Sequence, residues 1–155
     1  MNFESTPHPI DILLVEDNAA DVRLTEEVLT DSKVHNNLIV ANDGQEALMC
    51  LRRQGKFKNS PRPDLILLDL NLPIKDGREV LADIKADPDL KRIPVVILTT
   101  SKAEEDILKT YNLHANCYIT KPAGFDEFSR TMRVLAEFWV TVAKLPSGAN
   151  QWNTN

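Results

Sequence analysis

Asp69 ends the apolar run Leu65-Ile66-Leu67-Leu68, and three other apolar runs end in residues that an aspartate needs if it is to accept a phosphoryl group. Glu16-Asp17 follow one run, Thr99-Thr100 another, and Lys121-Pro122 a third. A nucleophilic carboxylate, acids able to hold a divalent cation, a hydroxyl donor and a point positive charge are the parts phosphoryl transfer uses, because its catalysis is mostly positioning and charge neutralisation. Gathered in one place, Glu16, Asp17 and Asp69 repel one another: two unit charges ~4 Å apart cost about 4 kcal/mol at an effective dielectric of about 20. A hard cation offsets that cost. Mg²⁺ keeps several waters and takes only one or two carboxylates, which suits an open site, and the carbonyls of the loop Leu70-Asn71-Leu72-Pro73 offer a neutral ligand beside it. Singly, each residue has a plainer reading: Thr99 as a strand-end cap, Lys121 as a surface cation, Asp69 as a turn residue, and Glu16-Asp17 as acids at a helix N-terminus. Only their conjunction at four run ends favours chemistry.

For that conjunction to exist, the runs must be parallel strands whose carboxyl ends share one edge. Short apolar runs alternate here with helical periodicity, as strands joined by crossover helices do. Strands are expected at Ile10 to Val15, Leu38 to Ala41, Leu65 to Leu68, Val95 to Leu98 and Cys117 to Ile119. Helices are expected at Ala19 to Asp31, Gln45 to Gln54, Gly77 to Ala86, Lys102 to Tyr111 and Phe125 to Ala143. Asn18 is placed to cap the first helix, Gly55 to end the second, and Pro94 to open the fourth strand. The fold class is α/β: a doubly wound, five-stranded parallel sheet with helices on both faces, of order 2-1-3-4-5 by analogy with flavodoxin-like sheets. That order sets the first and third strands side by side, with Asp17 and Asp69 within reach of a common ion. Residues 1–9 read as an N-terminal tail, 10–145 as one domain, and 146–155, rich in Asn, Ser, Gly and Thr, as a flexible tail.

The 155 residues, 43% hydrophobic and 26% charged, make one ordinary soluble domain. A net charge of -5 argues against a sequence-independent nucleic-acid binder. The basic run Arg52, Arg53, Lys56, Lys58, Arg62 reads as a solvated loop. Cys50 and Cys117 lack metal spacing and read as buried thiols. His8, His35 and His114 have no partner at useful spacing. With no signal peptide and no membrane-length run, a cytoplasmic location is expected.

With these motifs in place, the chain resembles the receiver domain of two-component response regulators from Asp11 to Leu145, nearly its whole length. The resemblance implies that Glu16 and Asp17 are the acidic metal pair, Asp69 the phosphoacceptor and Asn71 the residue whose backbone carbonyl completes the Mg²⁺ shell. It makes Thr99 the switch hydroxyl, Tyr118 the aromatic switch residue, and Lys121 a lysine joined to Pro122 by a cis bond. Asn71 and Ser101, each two residues beyond a key position, would tune hydrolysis. Glu16 departs from the aspartate many receivers carry, and its longer side chain could reach the metal through water. The loop Gln54 to Pro63, the run Leu98 to Ser101 and the ending Glu137-Phe138-Trp139 through Pro146 are similar to small stand-alone regulators paired with cyanobacterial phytochromes. The resemblance thus implies a phosphoacceptor rather than an enzyme on outside substrates. It would take its phosphoryl group from a phytochrome-type histidine kinase, dephosphorylate slowly, and signal through the face of the fourth helix, fifth strand and last helix. With no output domain expected after residue 145, the signal would leave by protein contact.

Phe125, Phe128, Met132, Leu135, Trp139 and Val142 form one apolar stripe on the last helix. A helix of about 19 residues is roughly 28 Å long, against ~17 Å for a five-residue strand, so its end must overhang the sheet. Val134, Phe138 and Val140 lie off the stripe. Together with Trp139 and Val142 they are the expected homodimer surface. Three rival functions fit the residues less well. An FMN binder needs a hydroxyl- and glycine-rich first loop, where this chain has Glu16-Asp17-Asn18. A Mg²⁺-dependent phosphohydrolase usually carries a second acid near its nucleophile, a place Asn71 cannot fill. A phosphorylation-independent adaptor would not need the full set of acids, hydroxyl and lysine.

Overall fold

Strand β1 (Ile10–Val15), apolar but for Asp11, is buried along its entire length, as a strand must be at the centre of a sheet covered on both faces. The computed structural model describes residues 9–31, 35–99, 117–121 and 124–138. Within them the chain runs β1, α1 (Ala19–Thr30), β2 (Asn36–Ala41), α2 (Gly44–Leu51), β3 (Leu65–Asp69), α3 (Gly77–Ala86), β4 (Val95–Thr99), β5 (Cys117–Thr120) and α4 (Phe125–Glu137). All strand pairings are parallel and the order is β2-β1-β3-β4-β5, as expected. The expected helix at Lys102 to Tyr111, and the continuation of the last helix to Ala143, lie outside the described residues.

Alternation along each strand splits the core in two. Leu13, Val15, Ile66, Leu68, Val95 and Ile97 face α2 and α3, meeting Ala47, Leu51, Val80 and Ile84. Ile12, Leu14, Leu65, Leu67, Val96 and Leu98 face the other way, onto Leu24 and Val28 of α1 and Phe128, Met132 and Leu135 of α4. The helix stripes therefore supply the two outer layers. Phe128, Met132 and Leu135 are buried as the stripe requires, whereas Val134 is 62% and Phe138 49% exposed.

The helices are capped as their sequences suggest. Asn18 accepts the Asp21 N–H at 3.0 Å, and Asp76 with Glu79 forms a reciprocal capping box on α3. Helix α2 begins one residue earlier than expected, because Asp43 caps it by accepting the Glu46 N–H at 2.8 Å. It also stops sooner, at Leu51, where Arg53 turns to a left-handed φ of 54°. Strand β2 starts two residues before the apolar run: Asn36 pairs with Ile10, and Asn37 Nδ2 donates to Asp11 Oδ1 at 3.1 Å. Arg62 is not part of a solvated basic loop. It is 3% exposed, and its guanidinium donates to Asp89 Oδ2 at 2.6 Å and to the Asp89 carbonyl at 3.0 Å. Cys50 is buried, and burial pushes its thiol up to about 11. His35 is exposed, while His8, His114 and Pro122 lie outside the described residues. No helix among the described residues is long and apolar enough to cross a membrane.

Candidate functional site

Register brings the acids together. Val15 of β1 lies opposite Leu68 of β3, so the next residues along, Glu16 and Asp69, come level at the carboxyl edge. On the other side Asp69 pairs with Leu98 and Thr99 with Thr120, which places Thr99 and then Lys121 at the same edge. Glu16, Asp17 and Asp69 each offer an oxygen lying within 4.8 Å of the others. Glu16 and Asp69 are buried, 2% and 4% exposed, while Asp17 is open to solvent. Three hard oxygen donors, one reachable from water, fit a Mg²⁺ ion that keeps part of its hydration shell.

Lys121 is the counter-charge. Its Nζ donates to Glu16 Oε1 at 2.6 Å, to Asp21 Oδ2 at 3.1 Å and to Asp69 Oδ2 at 3.2 Å. Burial alone would lower the lysine's affinity for its proton. The Glu16 hydrogen bond and the charges of Asp69 and Glu16, with help from Asp21, outweigh that and hold it above the usual lysine range. Glu16 goes the other way for a carboxyl: burial first, then its hydrogen bond to Asp69, raise it to about 7 even against the pull of Lys121. Burial is the main cause of that rise; it is the clustering of Glu16, Asp17 and Asp69 around one lysine that a bound cation would neutralise.

The Asp69 oxygens are held in place. Asp69 Oδ1 accepts the Asn71 N–H at 3.2 Å, and Oδ2 faces Lys121. Glu16 Oε2 likewise accepts the Asn18 N–H at 3.2 Å. Behind Asp69, Gly77 opens α3 in direct apposition to the strand end. A Cβ there would lie 2.5 Å from the Asp69 carbonyl oxygen and 2.8 Å from that of Leu70, so no larger residue fits without moving the main chain.

Glu16, Asp17, Asp69 and Lys121 thus converge as the sequence suggests, with Asn71 alongside. Thr99 and Tyr118 are placed by their backbone on β4 and β5, with Tyr118 opposite Ile97. Their side chains, and Ser101, Trp139, Val140 and Val142, lie outside what the structure describes. One participant escaped sequence reasoning: Asp21, which reads as an ordinary acid in the first turn of α1 yet bonds Lys121. No local signal sets it apart, because an acid in the first turn of a helix is expected from the dipole alone.

Comparison with known proteins agrees with this geometry. The family model of the response regulator receiver domain matches residues 12–133. The chain is 53% identical over 147 residues to response regulator Rcp1 of Synechocystis sp., covering 95% of this chain and 99% of that one. Among solved structures it is similar to the phosphorylated cyanobacterial phytochrome response regulator RcpA, with 54% identity, a TM-score of 0.84 and coverage of 90% of this chain and 99% of that one. It is equally similar to the Mn²⁺-bound form of Rcp1, with 54% identity, a TM-score of 0.83 and coverage of 89% and 99%. The narrower likeness drawn from the loop and the C-terminal segment leads to these same proteins. The chain belongs to the response regulator receiver domain family.

Proposed function

We propose that the chain is the phosphoacceptor of a two-component pathway, taking a phosphoryl group on Asp69 from a phosphohistidine of a phytochrome-type histidine kinase in a Mg²⁺-dependent reaction. The observation that carries the reading is the grouping of Asp69 with Glu16, Asp17 and Lys121, one carboxylate oxygen anchored by Asn71 and the other paired with the lysine. In the transfer an Asp69 oxygen bonds to phosphorus as the phosphorus–nitrogen bond to the histidine breaks and its electron pair returns to the imidazole. Lys121 offsets the negative charge of the phosphoryl oxygens, and Glu16 and Asp17 would hold the metal. Bound Mg²⁺ supplies further neutralisation of those oxygens. Kinship with RcpA, a phytochrome response regulator solved in its phosphorylated form, and with Rcp1, solved with Mn²⁺ bound, supports phosphorylation, a divalent cation and a phytochrome-class partner.

The acyl phosphate adds nearly two negative charges, by analogy with other phosphorylated side chains. Thr99 is the hydroxyl drawn to it, and Tyr118 turns into the space left behind, altering the surface on the β5 and α4 side. Asn71 and Ser101 set the rate of hydrolysis. The Val134 and Phe138 side chains, exposed on α4, join Trp139, Val140 and Val142 in a homodimer surface. Acetyl phosphate with Mg²⁺ should add one phosphoryl mass to a tryptic peptide containing Asp69 and none to the Asp69→Asn protein. Uptake of label by Asp69→Asn from a phosphorylated kinase refutes the acceptor assignment. A single monomeric species by light scattering, with and without phosphorylation, refutes the dimer.

A further inference from the structure

An ammonium has three N–H donors, and those of Lys121 are spread over three carboxylates: Glu16, Asp21 and Asp69. Two of these belong to the trio whose oxygens could share one ion; Asp21 does not. A dication bound by Glu16, Asp17 and Asp69 would draw on the oxygens the lysine now uses and would repel its charge. On a flexible four-carbon stem, the ammonium would then be free to swing away from the acceptor. Asp21 is the partner it could keep.

We infer that Asp21 is a positioning residue: the anion that tethers the Lys121 ammonium beside Asp69 while the other two carboxylates are committed elsewhere. The inference rests on the proposed role of Lys121 in phosphoryl transfer. Asp21 is well built for the task. It sits in the first turn of α1, where the helix dipole favours a negative charge. Asn18 Oδ1 accepts its N–H at 3.0 Å, and Thr25 Oγ1 donates to its carbonyl at 2.8 Å, so the carboxylate projects from a fixed backbone. Its side chain is 33% exposed, against 2% for Glu16 and 6% for Asp69, so it forms the solvent side of the lysine's cage. The tether also bridges the start of α1 and the residue after β5, elements that no backbone pairing joins.

An acid that merely suits the helix dipole would act the same whether or not Lys121 is present; a tether would not. Mg²⁺ affinity by calorimetry, and the single-turnover rate with acetyl phosphate at saturating Mg²⁺, are measured on the full chain as wild type, Asp21→Asn, Lys121→Met and the double variant. Losing the tether throws the lysine back onto Glu16 and Asp69 in competition with the ion, and leaves it free to swing away from Asp69 once the ion is bound. Asp21→Asn should therefore weaken Mg²⁺ binding and slow phosphorylation by about fivefold each, the upper end for a partly exposed ion pair. In the Lys121→Met background the same change should alter either quantity by less than about twofold. Equal factors in both backgrounds, or no effect in the wild-type background, overturn the inference. Should Asp69 not be the acceptor, no variant takes up phosphoryl at that residue, whereas the calorimetric cycle still reports the coupling of Asp21 to Lys121.

Discussion

Replacing Lys121 by methionine keeps the length and apolar stem of the side chain and removes only the charge at its tip. What remains is Glu16, 2% exposed, facing Asp69, 4% exposed, with their shared ammonium gone. Breaking a buried ion pair by deleting one partner costs about 3–5 kcal/mol when the other must stay charged. Here it need not, because Glu16 already holds a proton up to about 7 with the lysine present, and will hold it higher without. A carboxyl whose folded value lies above its unfolded value binds protons more tightly when folded, so its contribution to stability falls as pH rises through that window. Each unit of pH above the unfolded value adds at most ~1.4 kcal/mol of penalty. Near pH 6 the protonated Glu16 can donate to Asp69, and the expected loss is about 1 kcal/mol; near pH 8 it approaches about 3 kcal/mol. At ~2–4 °C per kcal/mol for a chain of this size, Tm should drop by about 2–4 °C at the lower pH and about 6–12 °C at the higher. The assay is thermal unfolding followed by circular dichroism in chelator at both values, then repeated with Mg²⁺. The ion should raise Tm more in Lys121→Met than in the wild type, since it no longer competes with an ammonium. A loss independent of pH, or an equal gain from Mg²⁺ in both proteins, refutes the reasoning.

Separate parts of the molecule give three further outcomes. Because Glu16 must shed a proton held up to about 7 before it can serve as a ligand, Mg²⁺ affinity should fall about tenfold per pH unit below that value and level off above it; a flat calorimetric profile through the window contradicts the site. Ile74 is β-branched, 77% exposed and held at a φ of 67°, so Ile74→Asn should stabilise the protein by about 1 kcal/mol in urea titration, and a loss would mean its side chain matters more than its backbone. Gly77→Ala forces a methyl against the Asp69 and Leu70 carbonyls and should destabilise by about 2 kcal/mol or more in the same titration, an unchanged midpoint ruling out the close apposition.

What was legible in the sequence is what single-segment physics controls. Strand β1 and helix α3 could be bounded to the residue because an apolar run and a stretch of helical periodicity are written locally. The site residues were legible for a related reason: each stands at or just beyond the end of an apolar run, so parallel pairing alone carries Glu16, Asp69 and Lys121 to one edge. Features decided by tertiary partners were not. Strand β2 begins on Asn36 and Asn37, polar residues that belong to a strand because Ile10 and Asp11 are there to pair with them. Arg62 sits among lysines and arginines and looks solvated until Asp89, far along the chain, closes over it. Asp21 is indistinguishable from any acid that suits a helix start until Lys121, a hundred residues later, is seen to reach it.

The seat of Gly77 against the end of β3 has a mechanical implication. With α3 abutting the Asp69 and Leu70 carbonyls so closely that not even a methyl can be admitted, the main chain beneath the acceptor has no slack in that direction. A phosphoryl group on the Asp69 carboxyl, as proposed, would therefore not be absorbed by the peptide recoiling toward α3. Under the proposed function, accommodation would come from the side chains in front of it, Lys121 first among them, with the end of β3 as the anvil and the lysine-bearing end of β5 as the part that gives.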